Sequence, residues 1–336
     1  MASAPKPVLI LGGSGAVGSR AVAALRRLQP ELPIVIGARD IARANAVAQS
    51  AGNATALEVD LGRADLGVPA GATFSAVVTL LNDETLNSMK YAQTHGLPYV
   101  SFSDHLFEIS PKVALYLQKP TSAPILFLGH ALGGATTLSA LHFARELRSI
   151  ETLDVAVAIY DDDHGGPATN TDLERAGRVS PLLRKNGRWI WASGDDIERT
   201  VTAADGTKHR GNAFPLLDVV SLAAATDAPN VRFDIAVRSA ASRPAGKRPS
   251  TEMIFEIDGV DADGKKRRVR HEVVDDEDLS TLSARGLAIT VERLLGLAGG
   301  PPVPPGLYNP ETILDPADVI QKLEAFGARI ARDVQR

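Results

Sequence analysis

Along the first third of the chain, short apolar runs alternate with stretches of helical period. Val8 to Leu11 is an unbroken apolar run, and Ala16 to Leu28 places Val17, Ala21, Val22, Leu25 and Leu28 on one helical face before Pro30 ends it. Pro33 to Ala38 is a second run, and Ile41 to Ser50 a second helix. The same reading predicts strands over Thr55–Val59, Phe74–Leu80, Tyr99–Phe102 and Ala123–Leu128, with helices over Glu84–His95 and Pro111–Leu117. Strands that are apolar throughout are buried on both faces, so the alternation predicts a doubly wound parallel sheet.

The texture changes after Gly133-Gly134. A helix over Ala135–Leu147 leads to a strand over Leu153–Tyr160, a polar stretch from Asp161 to Asp172, and short strand-like pieces from Arg188 to Gly211. A helix over Phe214–Ala225 precedes strands over Val231–Arg238, Met253–Ile257 and Val269–Val274, the last two joined by the turn Asp261-Ala262-Asp263-Gly264. Val231, Phe233, Ile235 and Val237 alternate onto one side of their strand, as do Met253, Phe255 and Ile257, which suits a sheet packed on one face and solvated on the other. Helices over Asp278–Leu297 and Pro316–Arg332 flank a proline-rich connector. The expected class is α/β: a doubly wound parallel sheet with an inserted α+β domain whose sheet is mostly antiparallel. The boundaries fall at 1–133 plus 285–336 for the first domain and 134–284 for the second.

Composition narrows the partners. A chain of 336 residues with 44% hydrophobic and 23% charged residues has the make-up of a two-domain globular protein. Its net charge of −4 gives no general attraction to nucleic acid or to anionic membranes. No apolar run approaches the ~20 residues that span a bilayer. Met1 to Pro7 lacks the basic-then-apolar layout of a signal peptide, and cysteine is absent, which removes disulfides and thiolate chemistry. The expectation is a cytoplasmic protein acting on a small molecule, with neither nucleic acid nor membrane as partner.

The chemistry is carried by the ends of the predicted strands, where open parallel sheets bind ligands. Gly13, Gly15 and Gly18 fit G-x-G-x-x-G between a strand and a helix. In this reading Gly13 makes the tight turn, Gly15 lets a pyrophosphate approach the backbone, and Gly18 lets helix and strand pack closely. Ser14, Ala16 and Val17 complete the loop whose N–H groups and helix dipole hold phosphates. At the tip of the second strand, Ala38-Arg39 offers a guanidinium where an NAD-specific site has a carboxylate, and Arg43 lies one turn on. That arrangement favours the 2′-phosphate of NADP(H) over NAD(H). Asp40 competes, either as a helix cap or as a ribose ligand. The tails Asp60-Leu61 and Leu81-Asn82 complete the cofactor set. Asp104 and His105 after the fifth strand, and His130 after the sixth, are the candidate catalytic proton carriers.

Three passages resemble the saccharopine dehydrogenase-like NAD(P)-dependent oxidoreductases. They are Gly37 to Ala44 after the glycine turn, the crossing Gly129-His130-Ala131-Leu132-Gly133-Gly134, and the tail from Pro305 to Glu311 through Leu314-Asp315-Pro316 to Leu323-Glu324. The resemblance implies a Rossmann domain completed by C-terminal helices, a second domain inserted between, and nicotinamide-dependent chemistry at a carbon–nitrogen bond. Some relatives reduce carbon–carbon double bonds instead, and a cofactor-binding sensor is a third class. It also implies a homodimer formed through the second domain. The crossing departs from the family's Gly-x-x-Pro-Gly form, since it has no proline.

Other candidates read as structural. Asp161-Asp162-Asp163-His164 are consecutive and converge poorly on one ion, so no metal is expected. Lys265 to Arg268 is a basic hairpin end beside the acidic run Asp275 to Asp278. Arg243, Lys247 and Arg248 are possible carboxylate ligands from the loop Ser239–Ser250. The Tyr-x-x-x-Lys pair of short-chain dehydrogenases is missing, because none of the five tyrosines has lysine four residues on.

Overall fold

The computed structural model describes residues 5–102, 104–163, 165–166, 171, 174–243, 246 and 249–332. His164, Lys247 and Arg248 lie outside the described residues. The chain forms two compact units, each assembled from two stretches of sequence: 1–129 with 283–313, and 130–282 with 314–336.

The first unit holds a seven-stranded, all-parallel sheet built from β1 (Val8–Leu11), β2 (Ile34–Ala38), β3 (Ala54–Glu58), β4 (Ala76–Thr79), β5 (Tyr99–Ser101), β6 (Pro124–Phe127) and β15 (Gly306–Tyr308). Their order is β15-β6-β5-β4-β1-β2-β3. Strands β1, β4 and β6 are wholly buried, as the unbroken apolar runs require. Crossovers run through α1 (Ala16–Leu28), α2 (Ile41–Ala51), α3 (Asn87–His95) and α4 (Ile109–Tyr116). Helix α7 (Leu279–Leu294) returns the chain to this unit, where Glu292 accepts a hydrogen bond from the Gln29 side chain (2.7 Å). The proline-rich connector then delivers β15 to the sheet edge beside β6, a strand the sequence pattern had not marked.

The second unit is built on a nine-stranded sheet. Its central pair, β7 (Ser149–Tyr160) and β12 (Asn230–Arg238), is parallel. Antiparallel neighbours β10 (Glu198–Thr202), β11 (Lys208–Ala213), β13 (Thr251–Val260), β14 (Lys266–Asp275) and β16 (Arg329–Ala331) extend it in the order β10-β11-β12-β7-β13-β14-β16. A hairpin of β8 (Leu182–Lys185) and β9 (Arg188–Trp191) hangs from β12. Helices α5 (Ala135–Ala144) and α6 (Asp218–Thr226) pack on these strands, covering a face that buries Val155, Val157, Phe233, Met253, Phe255 and Ile257. The alternation seen in the sequence is this face, although Val237 at the strand end is exposed.

The opposite face is not the solvated one that the alternation predicts: Ala156, Ala158, Val201, Ala236 and Ile254 are buried together there, beside a network of charges. Arg199 donates to Asp234 (2.5 Å) and Glu256 (2.9 Å), while Arg270 donates to Glu256 (3.1 Å) and Glu272 (3.0 Å). The Ala204 N–H, in the loop after β10, caps the array on Glu252 (2.8 Å). Paired carboxylates and guanidiniums allow these residues to be buried where single charges would not be.

The C-terminal segment differs from the sequence expectation. Residues 314–336 belong to the second unit, not to the first. Helix α8 (Pro316–Phe326) buries Val319, Ile320 and Leu323 and packs on α5, so its apolar stripe is satisfied there. Gly327, at φ +115°, ends it, and β16 then pairs with β14 rather than continuing a helix to Arg332. Leu323→Ala should therefore destabilise the second unit, by about 2–5 kcal/mol from the cavity. Equilibrium urea unfolding checks this, and the expected result is a lowered transition with cofactor affinity unchanged.

Candidate functional site

The chain leaves β1 through a turn held by backbone bonds. Gly12 takes the left-handed conformation (φ +83°) and its N–H donates to the Gly37 carbonyl (2.9 Å). The left-handed turn thus falls on Gly12, not on Gly13 as the motif suggested. Gly13 is required for a different reason: an added Cβ would sit 3.1 Å from both the Ile10 carbonyl and Ile36 Cγ2. The Gly12-Gly13 doublet was the signal available in the sequence. Gly15 precedes α1, and among the described residues an added Cβ would have only the Gly12 carbonyl (3.2 Å) as a near neighbour, which leaves the outer side open. Gly18 is the tightest position, because a Cβ there would meet the Gly12 carbonyl at 2.2 Å and Gly13 Cα at 2.7 Å.

The first bond of α1 runs from the Ser19 N–H to the Gly15 carbonyl (3.0 Å), so the amides of Ala16, Val17 and Gly18 precede the ladder. The first turn carries no acidic side chain, and Ser14 lies buried at its mouth. These features make the helix start an anion cradle.

At the β2 tip, Ala38 is buried while Arg39 and Arg43 are exposed. Asp40 caps α2, accepting the Arg43 N–H (3.0 Å). Among the described residues neither Arg39 nor the Arg43 guanidinium has a partner. Beyond β3, Asp60 accepts the Gly62 N–H (2.8 Å), and the Leu61 carbonyl accepts Thr85 Oγ1 (2.9 Å) and Asn87 Nδ2 (2.8 Å). Leu81 lies against Gly12, and Asn82 Nδ2 reaches Glu84 at 3.5 Å. Asp83 is buried and structural: its carboxylate accepts the Ser88 N–H (2.7 Å) and the hydroxyls of Ser88 and Thr85 (both 2.6 Å).

Asp104 does not stand alone. Its carboxylate is ion-paired with Lys112 of α4 and accepts the Ser101 hydroxyl (2.9 Å), and Lys112 also donates to Ser101 (2.7 Å). Both charges are buried, and Asp104 Oδ2 receives no hydrogen bond among the described residues. Burial pushes the carboxyl's pKa up, against the pull of the ammonium. For Lys112, burial acts downward but is outweighed by Asp104 and Tyr99, so its pKa stands raised. Tyr99 is likewise pushed up by burial, and its hydroxyl meets Ser88 Oγ at 3.0 Å. Sequence reasoning missed Lys112, although it shares the helix face of Ile109, Val113 and Tyr116, where a charge needs an explanation. Gly129 packs directly on this loop, since a Cβ would lie 1.8 Å from the Asp104 carbonyl. His105 is buried and stacks on Phe107, with ring centroids 5.6 Å apart.

His130 opens the second unit. Its Nε2 meets Ser221 Oγ (2.8 Å), and burial lowers its pKa to about 3, so the ring is neutral. Asp218 holds the same segment by accepting the Ala131 N–H and the Thr137 hydroxyl (both 2.7 Å). Leu132, Gly133 and Gly134 then run left-handed at φ +53°, +63° and +85°. Asp104 and His105 are thus brought together in one unit, and His130 belongs to the other. The acidic run is dispersed: Asp161 accepts the Ala240 N–H (2.8 Å), Asp162 pairs with Arg243 (2.6 Å) and Asp163 accepts the Leu279 N–H (2.8 Å).

Two outcomes are expected. Gly18→Ala should separate α1 from its turn and weaken dinucleotide binding by tenfold or more, about 1.4 kcal/mol, as read by calorimetric titration. His130 is a weaker base folded than unfolded, so the unfolded chain takes up the extra proton. Its contribution to stability is intact above pH 6.5, the ordinary histidine value, and is lost as pH falls toward about 3. Across that window one proton gives a slope of about 1.4 kcal/mol per pH unit, which His130→Asn should remove from urea midpoints measured against pH.

No model of a known protein family matches the chain, and no curated protein sequence matches it. Among solved structures, saccharopine dehydrogenase (L-Glu forming) from Saccharomyces cerevisiae is similar over 98% of this chain and 100% of its own, with 13% identity and a TM-score of 0.74. An oxidoreductase from Agrobacterium radiobacter in complex with NAD+, L-tartaric acid and magnesium is more distant (12% identity, 97% and 98% covered, TM-score 0.48). So is a myo-inositol dehydrogenase from Corynebacterium glutamicum (12% identity, 99% and 100% covered, TM-score 0.45). The chain has the saccharopine dehydrogenase fold.

Proposed function

We propose that the chain is a nicotinamide-dependent oxidoreductase that prefers NADP(H). In this reading it reduces an imine, or runs the reverse oxidative deamination, on a small amino or keto compound. The observation that carries the proposal is a glycine turn open to phosphate, with the guanidinium groups of Arg39 and Arg43 exposed and without a partner among the described residues at the neighbouring strand tip. Asp40 is engaged in capping α2, so the nearby carboxylate is already committed. Two guanidinium groups suit a 2′-phosphate, one by a forked hydrogen bond and one by stacking or charge. The likeness to saccharopine dehydrogenase supports chemistry at a carbon–nitrogen bond.

A bound nicotinamide supplies or accepts the hydride. The amides of Ala16, Val17 and Gly18 hold the diphosphate, and Asp60, Leu61, Leu81 and Asn82 line the dinucleotide. Asp104, His105 and His130 are the proposed proton carriers. Burial raises the Asp104 carboxyl, so it keeps a proton at higher pH than an exposed aspartate, while Lys112 fixes its position. His130 enters neutral and oriented by Ser221. The proposal places the protein in the cytoplasm as a homodimer.

Arg39→Ala should remove a charge-assisted contact of about 1.5–3 kcal/mol. The preference for NADPH over NADH should then fall by about tenfold or more. An unchanged preference in a folded variant overturns the assignment. Consumption of NADPH with a panel of keto acids and amines reads the reaction itself. A product reduced at a carbon–carbon bond would replace the substrate class, and cofactor binding without any turnover would make the protein a sensor.

A further inference from the structure

Three buried polar residues of the first unit close on one another. Ser101 ends β5, Asp104 follows three residues later, and Lys112 returns to both from α4. Ser101 donates to Asp104 Oδ1 (2.9 Å), Lys112 donates to Ser101 Oγ (2.7 Å), and the ammonium is ion-paired with the same Oδ1. Both partners of the carboxylate thus hold one oxygen. Oδ2 is equally buried and receives no hydrogen bond among the described residues.

That asymmetry is poorly suited to a pair that only holds the fold together. A buried ion pair repays its desolvation when the remaining lone pairs are met as well. An orphaned buried oxygen marks a place that a water or a ligand atom fills. Its position agrees. The strand order reverses between β1 and β4, and open parallel sheets bind ligands at the carboxyl ends beside such a switch point. Strand β5 is next to β4, so the loop carrying Asp104 borders that crevice.

The surrounding charges suit a group that changes protonation. Burial favours the protonated Asp104 carboxyl, and the ammonium opposes it by favouring the carboxylate. Burial also opposes the Lys112 ammonium, but Asp104, Tyr99 of β5 and Asp83 beyond β4 keep it charged. Within the loop the His105 N–H donates to Glu108 (3.3 Å) and the His105 ring stacks on Phe107. Gly129, beyond β6, sets backbone against the Asp104 carbonyl. The carboxyl can therefore release a proton without leaving a lone charge in a poor solvent.

We propose that Asp104 Oδ2 protonates the substrate nitrogen, and that Lys112 is the positioning residue that holds Oδ1 and stabilises the carboxylate left behind. The inference rests on the oxidoreductase reading above and singles out one proton carrier and one oxygen. In the reduction, the imine carbon accepts a hydride from NADPH as the C=N π electrons pass to nitrogen. The proton on Oδ2 moves to that nitrogen, directly or through one water, so the N–H bond forms as the O–H bond breaks. An amine, NADP+ and the Asp104 carboxylate result, and a proton from solvent restores the carboxyl.

Turnover of NADPH by the whole protein, with the most active keto acid and amine of the panel above, tests this against pH. The expected kcat/KM falls on the alkaline side as Asp104 loses its proton. Lys112→Met removes the charge that favours the carboxylate, so this limb should move to higher pH by about one unit or more. The plateau below it should drop, because the acid is weaker. Ser101→Ala should move the limb the same way by less, which decides the matter if Lys112→Met does not fold. Asp104→Asn should lower kcat by about 100-fold or more while NADPH still binds. Carboxyl 13C NMR of the cofactor-free protein, with the Asp104 signal identified by its loss in Asp104→Asn, should titrate at the pH of the limb and move with it. Slower turnover in the Lys112 and Ser101 variants with the limb unmoved makes the pair structural and overturns the proposal. Full turnover in Asp104→Asn overturns it too, and leaves the oxidoreductase reading standing. Absence of turnover across the panel, or reduction at a carbon–carbon bond, overturns the substrate reading and this proposal with it.

Discussion

The first unit depends on one backbone contact: α1 resting against the turn that precedes it. At Gly18 there is no room for a methyl group, because the Gly12 carbonyl and Gly13 Cα occupy its place. That closeness aims the start of α1 at the space above the sheet. It also brings the helix dipole and its leading amides to bear on one small volume. The left-handed Gly12, its bond to Gly37 and the position of β2 all follow from keeping this approach. Arg39 and Arg43 are then placed by β2, whose tip is registered to β1 residue for residue.

Much of this was legible in the sequence because burial on both faces leaves a plain mark. The runs at Val8–Leu11 and Ala123–Leu128 are apolar without interruption, and both became central strands. The alternation at Phe233 and Phe255 marked the face beneath the helices, but not that Asp234, Ala236 and Ile254 on the other face are buried too. What escaped were elements whose identity is decided by distant partners. Gly306–Tyr308 is three residues long and becomes a strand only because β6 is beside it. Arg329–Ala331 likewise looks like the end of a helix until β14 offers an edge.

The site shows the same division. Local turn chemistry revealed the glycines, whereas the roles of polar residues depend on who faces them. Asp40 was ambiguous until its carboxylate was seen on the Arg43 amide. Asp104 reads as a free acid in sequence, yet Lys112, eight residues away, turns it into half of a buried pair. A buried pair is costly to break from either side, since removing one member leaves the other charged in a poor solvent. Position on the sheet and electrostatic environment therefore have to be read together.

The interleaving of the two units has a consequence for how the chain is made. The first unit needs residues 283–313, and the second needs 314–336. During synthesis the parallel sheet lacks its β15 edge until Tyr308 has emerged, and the inserted sheet lacks β16 until Ala331 has. Domains whose parts are contiguous can close one after another on the ribosome. Here, ring closure over long sequence separations delays both, which slows folding and prolongs the exposure of strand edges to other chains.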